Sequence, residues 1–500
     1  MTDTTTDEEL GLDPEQTAGF EDMGPEAFRE AGHAVVDLLA DYLATVEGRA
    51  VFPQVEPGQL RPLFAVAPPE QPEPIEAILA DYTRLIEPNV THWQHPGFLA
   101  YFSTTASGAG ILGEFLTAGI GSNAMLWRTS PVATELEEVV VDWLRQAVGL
   151  PADFDGLLTD TASISSLVAL AAAREDAGLG GSTHGLAARV GGSPRIYASA
   201  EAHSSIDKAA MTLGLGRESV HKVRTNGRLE MDAAALADAI QADRAAGHVP
   251  VAIVATVGTT SSTSADPIRA IADIAERERL WLHVDAAYAG AVAIIPERRA
   301  PFDGWERADS IVINPHKWLF TPLDASLLLT RRMPALRDAF SLVPEYLRTL
   351  DRQTPVRDYN EYIPQLGRRF RALKLWIQLR WFGLEGLRRR IERHIEFAQT
   401  FAGWIDDDPD WERLAPVPFS TVCFRYRPAS VTGADADERL DMANERLMEA
   451  VNRSGEIFLS HARLHGRFAI RLAVGNLRTE RRHVERAWEL LRREAAALEV

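Results

Sequence analysis

From about residue 108 onward, short β-branched runs alternate with alanine-rich stretches that carry helical spacing, and this alternation admits few folds. Strands buried on both faces read as apolar runs, and the helices between them must cover those faces. The pattern therefore predicts an α/β domain, a mostly parallel sheet sheathed by helices. Strands are expected at Arg195–Ser199, Val251–Val257, Leu280–Val284, Ser310–Ile313 and Ser326–Thr330. Between them the spacing gives helices over Ser204–Leu213, Ala233–Ala246 and Pro267–Arg279.

The flanking regions read differently. Residues 1–22 are acidic and polar and are expected to be disordered. From Pro25, the spacing of Phe28, Ala31, Val35, Leu38, Tyr42 and Val46 marks an amphipathic helix. Phe52 to Pro74 holds seven prolines and reads as an extended connector, and a second helical pattern runs from Ile75 to Ile86 before Pro88. These opening elements expose one apolar stripe each and have no core of their own, so they must pack on another domain or another subunit. Past Phe370 an arginine-rich helical stretch runs to Phe401, followed by strands at Thr421–Tyr426 and Phe468–Val474 and a final helix from Glu480. That ending suits a small α+β domain.

Composition removes several function classes. Seventy-one acidic against 52 basic side chains give a net charge of −19, which argues against nucleic acid as the partner. The single cysteine, Cys423, excludes an internal disulfide framework and a cysteine-rich zinc site. No apolar run reaches the roughly 18 residues of a membrane span, and the acidic start is unlike a secretory or transit peptide, so a cytoplasmic protein is expected. There is no lysine after a glycine for a Walker loop, no G-x-S-x-G elbow and no H-E-x-x-H. His461 and His465 lie four apart without a third ligand, so no metal is expected.

Of the 52 basic residues 48 are arginine; the four lysines are Lys208, Lys222, Lys317 and Lys374. Arginine keeps its proton near neutral pH, so any chemistry that needs an amine nucleophile is confined to those four positions. Ligands of a parallel α/β sheet bind at the carboxyl ends of its strands. There the sequence places Ala202-His203-Ser204-Ser205, Gly258-Thr259-Thr260, Asp285-Ala286-Ala287-Tyr288 and Asn314-Pro315-His316-Lys317-Trp318. Singly, Asp285 reads as a helix cap, His203 as a half-buried histidine and Lys317 as a surface charge. Lys317, however, is flanked by Ile311-Val312-Ile313 and Trp318-Leu319-Phe320, which predicts a desolvated amine of lowered pKa.

A lysine, a carboxylate and a flat group on one rim point to pyridoxal phosphate. That cofactor bonds covalently to a lysine and needs a carboxylate for its ring nitrogen, a flat partner for its ring and a helix N-terminus for its phosphate. Asp285 and His203 suit the second and third needs. For the fourth, Thr159-Asp160-Thr161-Ala162-Ser163 enters an alanine-rich helix spanning Leu167 to Arg174.

The chain resembles the pyridoxal-phosphate-dependent group II amino-acid decarboxylases, most closely the aromatic L-amino-acid decarboxylases. The resemblance is carried by His95-Pro96 through Ala100-Tyr101-Phe102, Ser130-Pro131-Val132-Ala133-Thr134-Glu135-Leu136-Glu137, Ala202-His203-Ser204-Ser205, His283-Val284-Asp285-Ala286-Ala287-Tyr288-Ala289-Gly290, Asn314-Pro315-His316-Lys317-Trp318 and Leu366-Gly367-Arg368-Arg369-Phe370. It implies a fold-type-I enzyme with a mostly parallel seven-stranded large domain over 108–372, an N-terminal helical dimerisation segment over 23–107 and a small α+β domain over 373–500. It also implies a homodimer with active sites at the subunit interface.

By the same resemblance, Lys317 carries the cofactor, Asp285 partners its ring nitrogen and His203 stacks on it. Thr161, Ala162 and Ser163 with Asn314 and His316 hold the phosphate end, and Thr260 and Ala287 line the cofactor. Phe340 to Leu350 matches the family's mobile catalytic loop, with Tyr346 in the place of its proton donor. Trp93, Tyr101, Phe102 and Thr104 match the substrate side, joined by Met125 and Gly367. Asn123, Met125 and Ser103 depart from the aromatic branch. The substrate expected is an amino acid, aromatic for preference, with histidine open. The alternative within the family is an oxygen-consuming aldehyde synthase, in which the loop tyrosine is typically phenylalanine.

Overall fold

In the computed structural model, which describes residues 22–70, 72–186, 191–342 and 356–498, the alternation forms one seven-stranded sheet. Its strands are β1 (Asp155–Thr159), β2 (Pro194–Ser199), β3 (Val220–Val223), β4 (Val249–Thr256), β5 (Trp281–Asp285), β6 (Ser310–Ile313) and β7 (Ser326–Thr330), in the order β1-β7-β6-β5-β4-β2-β3. The run from β6 through β3 is parallel, and β7 alone runs against both of its neighbours. Helices Ala162–Asp176, Ala233–Ala245 and Ile268–Glu278 are among those that cover the faces. The core they share holds Ile253, Leu282, Val284, Ile311 and Leu327 on one side and Leu157, Ile196, Val254 and Leu328 on the other.

A second sheet of four antiparallel strands, in the order β10-β11-β9-β8, follows as β8 (Trp411–Arg413), β9 (Thr421–Tyr426), β10 (Ser460–Leu464) and β11 (Arg467–Ala473). Its core gathers Phe401, Phe424, Leu447, Ile470 and Leu490. One helix, Arg371–Asp407, joins the two cores: Leu375, Leu379, Leu387 and Ile391 pack in the first, Phe397, Phe401 and Ile405 in the second. The helix breaks once, at Gly383, whose φ of +60° is the left-handed region that glycine tolerates without a Cβ penalty.

The opening helix, Pro25–Thr45, buries no side chain and leaves Phe28, Val35 and Val36 exposed. The helical pattern predicted for Ile75–Ile86 is α-helical only to Asp81 and continues as a π turn over Tyr82–Ile86. Downstream, the stretch around Phe98 joins the second sheet: Leu99 donates to the Phe458 carbonyl and accepts from the Ala473 N–H. Phe102 is thereby held between Tyr288, just beyond β5, and Arg471 of β11, while the Tyr101 N–H bonds Ser460 of β10.

Candidate active site

The carboxyl ends of β1, β2, β4, β5 and β6 open on one rim. Asp285 is the last residue of β5 and pairs in register with Thr256 of β4 and Val312 of β6. One of its oxygens, Oδ1, accepts the Ala287 N–H at 3.1 Å; among the described residues Oδ2 has no hydrogen-bond donor. The chain beyond β6 is pinned by Asn314 donating its N–H to the Ala287 carbonyl at 3.0 Å and Lys317 donating its own to Asn314 at 3.0 Å. His316 accepts the Ala325 N–H at Nδ1 (3.0 Å), and burial, with the Lys317 charge, holds its pKa down to about 3. It is therefore a neutral, fixed ring.

Lys317 is half-buried, and among the described residues its amine has no hydrogen bond or ion pair. Its Nζ lies over the face of Phe102, 5.5 Å from the ring centroid. Burial lowers its pKa; Asp285 opposes that and Arg471 adds to it. An amine so placed spends more of its time as the free base, which is the form that attacks an aldehyde. Behind it three rings stack in a column. Phe102 lies 3.7 Å from Tyr288 with a 9° tilt, and Tyr288 lies 4.6 Å from Trp318 with a 3° tilt. Trp318 Nε1 then donates to His394 Nδ1 at 2.9 Å.

His203 follows β2 at the solvent-facing edge. Its Nδ1 accepts the Ser205 N–H at 3.1 Å and lies 2.9 Å from the Ser205 hydroxyl, so the ring is anchored through one nitrogen. Partial desolvation lowers its pKa, with Asp285 opposing and Lys317 assisting. Thr161 caps the helix Ala162–Asp176 without a side-chain capping bond. Ile164 and Ser165 bond back to the Thr161 carbonyl, while Ala162 and Ser163 keep the unpaired N–H groups of a first turn. Gly258, at φ +89°, carries the chain from β4 to the exposed Thr260; a Cβ there would meet Ala289 at 2.7 Å.

The structure adds one residue that sequence reasoning missed. Arg471 of β11 is 3 % exposed; its Nη1 donates to the Tyr101 carbonyl at 2.6 Å, and its guanidinium lies 4.5 Å from the Phe102 ring. Its Nε and Nη2 have no partner among the described residues. A buried, half-satisfied guanidinium is costly unless something anionic completes it. The signal in the sequence was an arginine set between Ile470 and Leu472 inside the apolar run that follows Arg467.

The remaining substrate-side residues fall into two groups. Trp93 and Tyr101 stack 6.3 Å apart and are more than one-third exposed; Thr104 is half-buried nearby. Met125 and Gly367 belong elsewhere: Asn123 donates to Met125 Sδ at 3.6 Å and accepts the N–H of Arg368 at 3.0 Å. A Cβ on Gly367 would meet nothing within 4 Å. Among the described residues no hydrogen bond or ring contact joins this second group to Lys317. Tyr346 and most of the segment Phe340 to Leu350 lie outside the described residues.

The donor set fits pyridoxal phosphate. Lys317 has an uncommitted amine, Asp285 an uncommitted oxygen, Asn314 a buried Oδ1 without a partner, and the 162–176 helix a free first turn. Among the described residues no three His, Cys, Asp or Glu side chains are grouped to hold a metal ion.

Comparison with known proteins agrees with that chemistry. The chain is 40 % identical to a phenylacetaldehyde synthase of Arabidopsis thaliana over 95 % of its length and 97 % of the relative's. It is 41 % identical to tyrosine decarboxylase 4 of Petroselinum crispum, covering 95 % and 94 %. The crystal structure of Oryza sativa TDC with PLP and tryptamine superposes with a TM-score of 0.91 at 36 % identity, over 96 % of this chain and 99 % of that one. The pyridoxal-dependent decarboxylase conserved domain matches residues 57–427, and the chain belongs to that family of fold-type-I, pyridoxal-phosphate-dependent carboxy-lyases.

Proposed function

We propose that the protein removes the carboxylate of an aromatic L-amino acid as CO2 and releases the corresponding amine. The observation that carries this reading is the uncommitted Lys317 amine beside the half-committed carboxylate of Asp285, backed by the Phe102–Tyr288–Trp318 column. Pyridoxal phosphate, bound through Lys317, supplies the electron sink that decarboxylation requires. Asp285 would hold a proton at the ring nitrogen, and His203 would cover the ring. Thr161, Ala162, Ser163, Asn314 and His316 would take the phosphate end, with Thr260 and Ala287 lining the cofactor. Arg471 receives the substrate carboxylate with its two unpartnered N–H sites, and Tyr346 returns a proton to the α-carbon.

The substrate side is read as composite. Trp93, Tyr101, Phe102 and Thr104 would supply one wall and Met125 and Gly367 of a second copy the other, in a homodimer formed through the exposed stripe of the Pro25–Thr45 helix. Support comes from the exposed Phe28, Val35, Leu112, Phe115 and Leu116, which no described residue covers fully. The division into a 23–107 helical segment, a 108–372 large domain and a 373–500 small domain goes with that reading. No helix among the described residues is long and apolar enough to cross a membrane, and we place the protein in the cytoplasm.

The test is product analysis. Purified protein with pyridoxal phosphate is given tyrosine, dihydroxyphenylalanine, phenylalanine, tryptophan, histidine and glutamate, and amine, aldehyde and peroxide are followed. Aromatic amine without peroxide is expected. A second reading, the oxygen-consuming aldehyde synthase, is favoured by the phenylacetaldehyde synthase among the relatives and opposed by the retained Tyr346. Aldehyde with equimolar peroxide would establish it instead.

A further inference from the structure

Trp318 hands its indole N–H to His394, and His394 forms part of the wall of a separate cavity of about 390 Å3. This cavity lies between the end of the Pro25–Thr45 helix, the middle of the Arg371–Asp407 helix and the segment after β11. Its polar wall is arginine: Arg390, Arg393, Arg478 and Arg482, with Glu47 and Glu480 as the carboxylates. Both carboxylates are already engaged, since Arg482 pairs with each and His483 shares Glu47.

Three cations are left. Arg478 gives one N–H to the amide oxygen of Gln94 at 2.8 Å. Arg390 and Arg393, one turn apart, meet only ring faces, of Phe382 at 5.0 Å and Phe397 at 5.7 Å. A ring face attracts a guanidinium but accepts none of its five N–H groups. Among the described residues neither arginine has a carboxylate partner, although other arginines of this acidic chain find two, as Arg307 does with Asp273 and Glu276. The crowding registers on its neighbours: burial and then the charges of Arg390 and Arg393 hold His394 down to about 3. Planar guanidiniums around a small cavity match the paired oxygens of phosphates and carboxylates.

We infer that this cavity binds a small, multiply charged oxyanion, with Arg390, Arg393 and Arg478 supplying its N–H donors. The site is distinct from the cofactor's phosphate site at the start of the Ala162–Asp176 helix, and the hydrogen bond between His394 and Trp318 links it to the ring column behind Lys317.

Holoenzyme saturated with pyridoxal phosphate is titrated with inorganic pyrophosphate and, separately, with citrate, following melting temperature, heat of binding and the visible absorption of the bound cofactor. A saturable upward shift with unchanged cofactor absorption is expected for at least one anion. Preference for pyrophosphate marks a phosphate ligand, preference for citrate a carboxylate one. Arg390→Gln with Arg393→Gln should weaken binding at least tenfold, and the exposed Arg393→Gln alone several-fold. Arg389→Ala, on the same helix but paired with Glu385, should leave binding unchanged. No shift with either anion, an equal shift in the double variant, or loss of cofactor absorption as the anion is added would each overturn the inference.

Discussion

Two of the four lysines, Lys374 buried and Lys317 half-buried, are treated in opposite ways. Lys374, on the Arg371–Asp407 helix, is 1 % exposed at its side chain and ion-paired with Glu114, which also takes Arg369. Lys317 is given no carboxylate at bonding distance; Asp285 is close enough to bias its charge and spends one oxygen on Ala287 instead. Burial lowers both amines, and at Lys374 Glu114 pulls back against that shift. A paired lysine is finished, whereas an unpaired one beside uncommitted acceptors is reserved for something that arrives. Sequence flanks cannot separate them, because each has a leucine and a tryptophan within two residues; position at a strand's carboxyl end can.

The largest effect should come from breaking the contrast outright. Lys317→Ala is expected to abolish the visible absorption of bound cofactor and to cut turnover by at least about three orders of magnitude. Lys374→Met should keep the absorption and most of the turnover, while lowering thermal stability because Glu114 keeps only Arg369. Lys374→Met abolishing cofactor binding with the fold intact would erase the distinction. Next in size, Arg471→Gln should lower kcat/KM by about 10²-fold while leaving cofactor absorption in place, since it removes the charge reserved for the substrate carboxylate. Tyr346→Phe should divert product from amine toward aldehyde; unchanged amine output would show that another group returns the proton.

A stability effect follows from the buried rings around the site. His283 and His316 are held down to about 4 and about 3, in both cases first by burial, and His394 likewise to about 3. In the unfolded chain each would titrate near 6.5, so unfolding binds protons below that pH. Their contribution is therefore present above 6.5 and is lost as pH falls toward 4. Asp266, fully buried and raised to about 7, acts in the opposite sense, favouring the fold at low pH and losing that advantage as pH approaches 7. Three groups against one should leave a net loss on the order of several kcal/mol between pH 6.5 and 4, measurable by denaturant unfolding. A flat profile would mean that water reaches these rings. The smallest change expected is from Met125→Phe, which should alter relative KM values among aromatic substrates by a few-fold at most.

The central strands were legible because each is buried on both faces and therefore reads as one apolar run; Ser310–Ile313 and the antiparallel Ser326–Thr330 fall where they were expected. β1 was missed because Gly156 interrupts it. That glycine is required by the close approach of β7, where a Cβ would meet the Leu328 carbonyl oxygen at 2.2 Å. β3 was missed because Val-His-Lys-Val at the sheet's edge is short and its two middle residues are polar. At the site, the rim residues were visible from strand-end position, but Arg471 was not. It comes from the second sheet, and nothing in local sequence says that two separate cores will present their strand ends to one another.

The pairing of β1 with β7 brings Asp155 opposite Thr330. During synthesis, the edge that leads into the first turn of the Ala162–Asp176 helix must wait for a strand that emerges only after Lys317. At about 5–20 residues per second that wait is on the order of ten seconds or more. The phosphate cradle and the lysine are thus completed by one late closure, and a chain stalled before β7 would present an apolar edge strand to its surroundings, a target for chaperones or for aggregation.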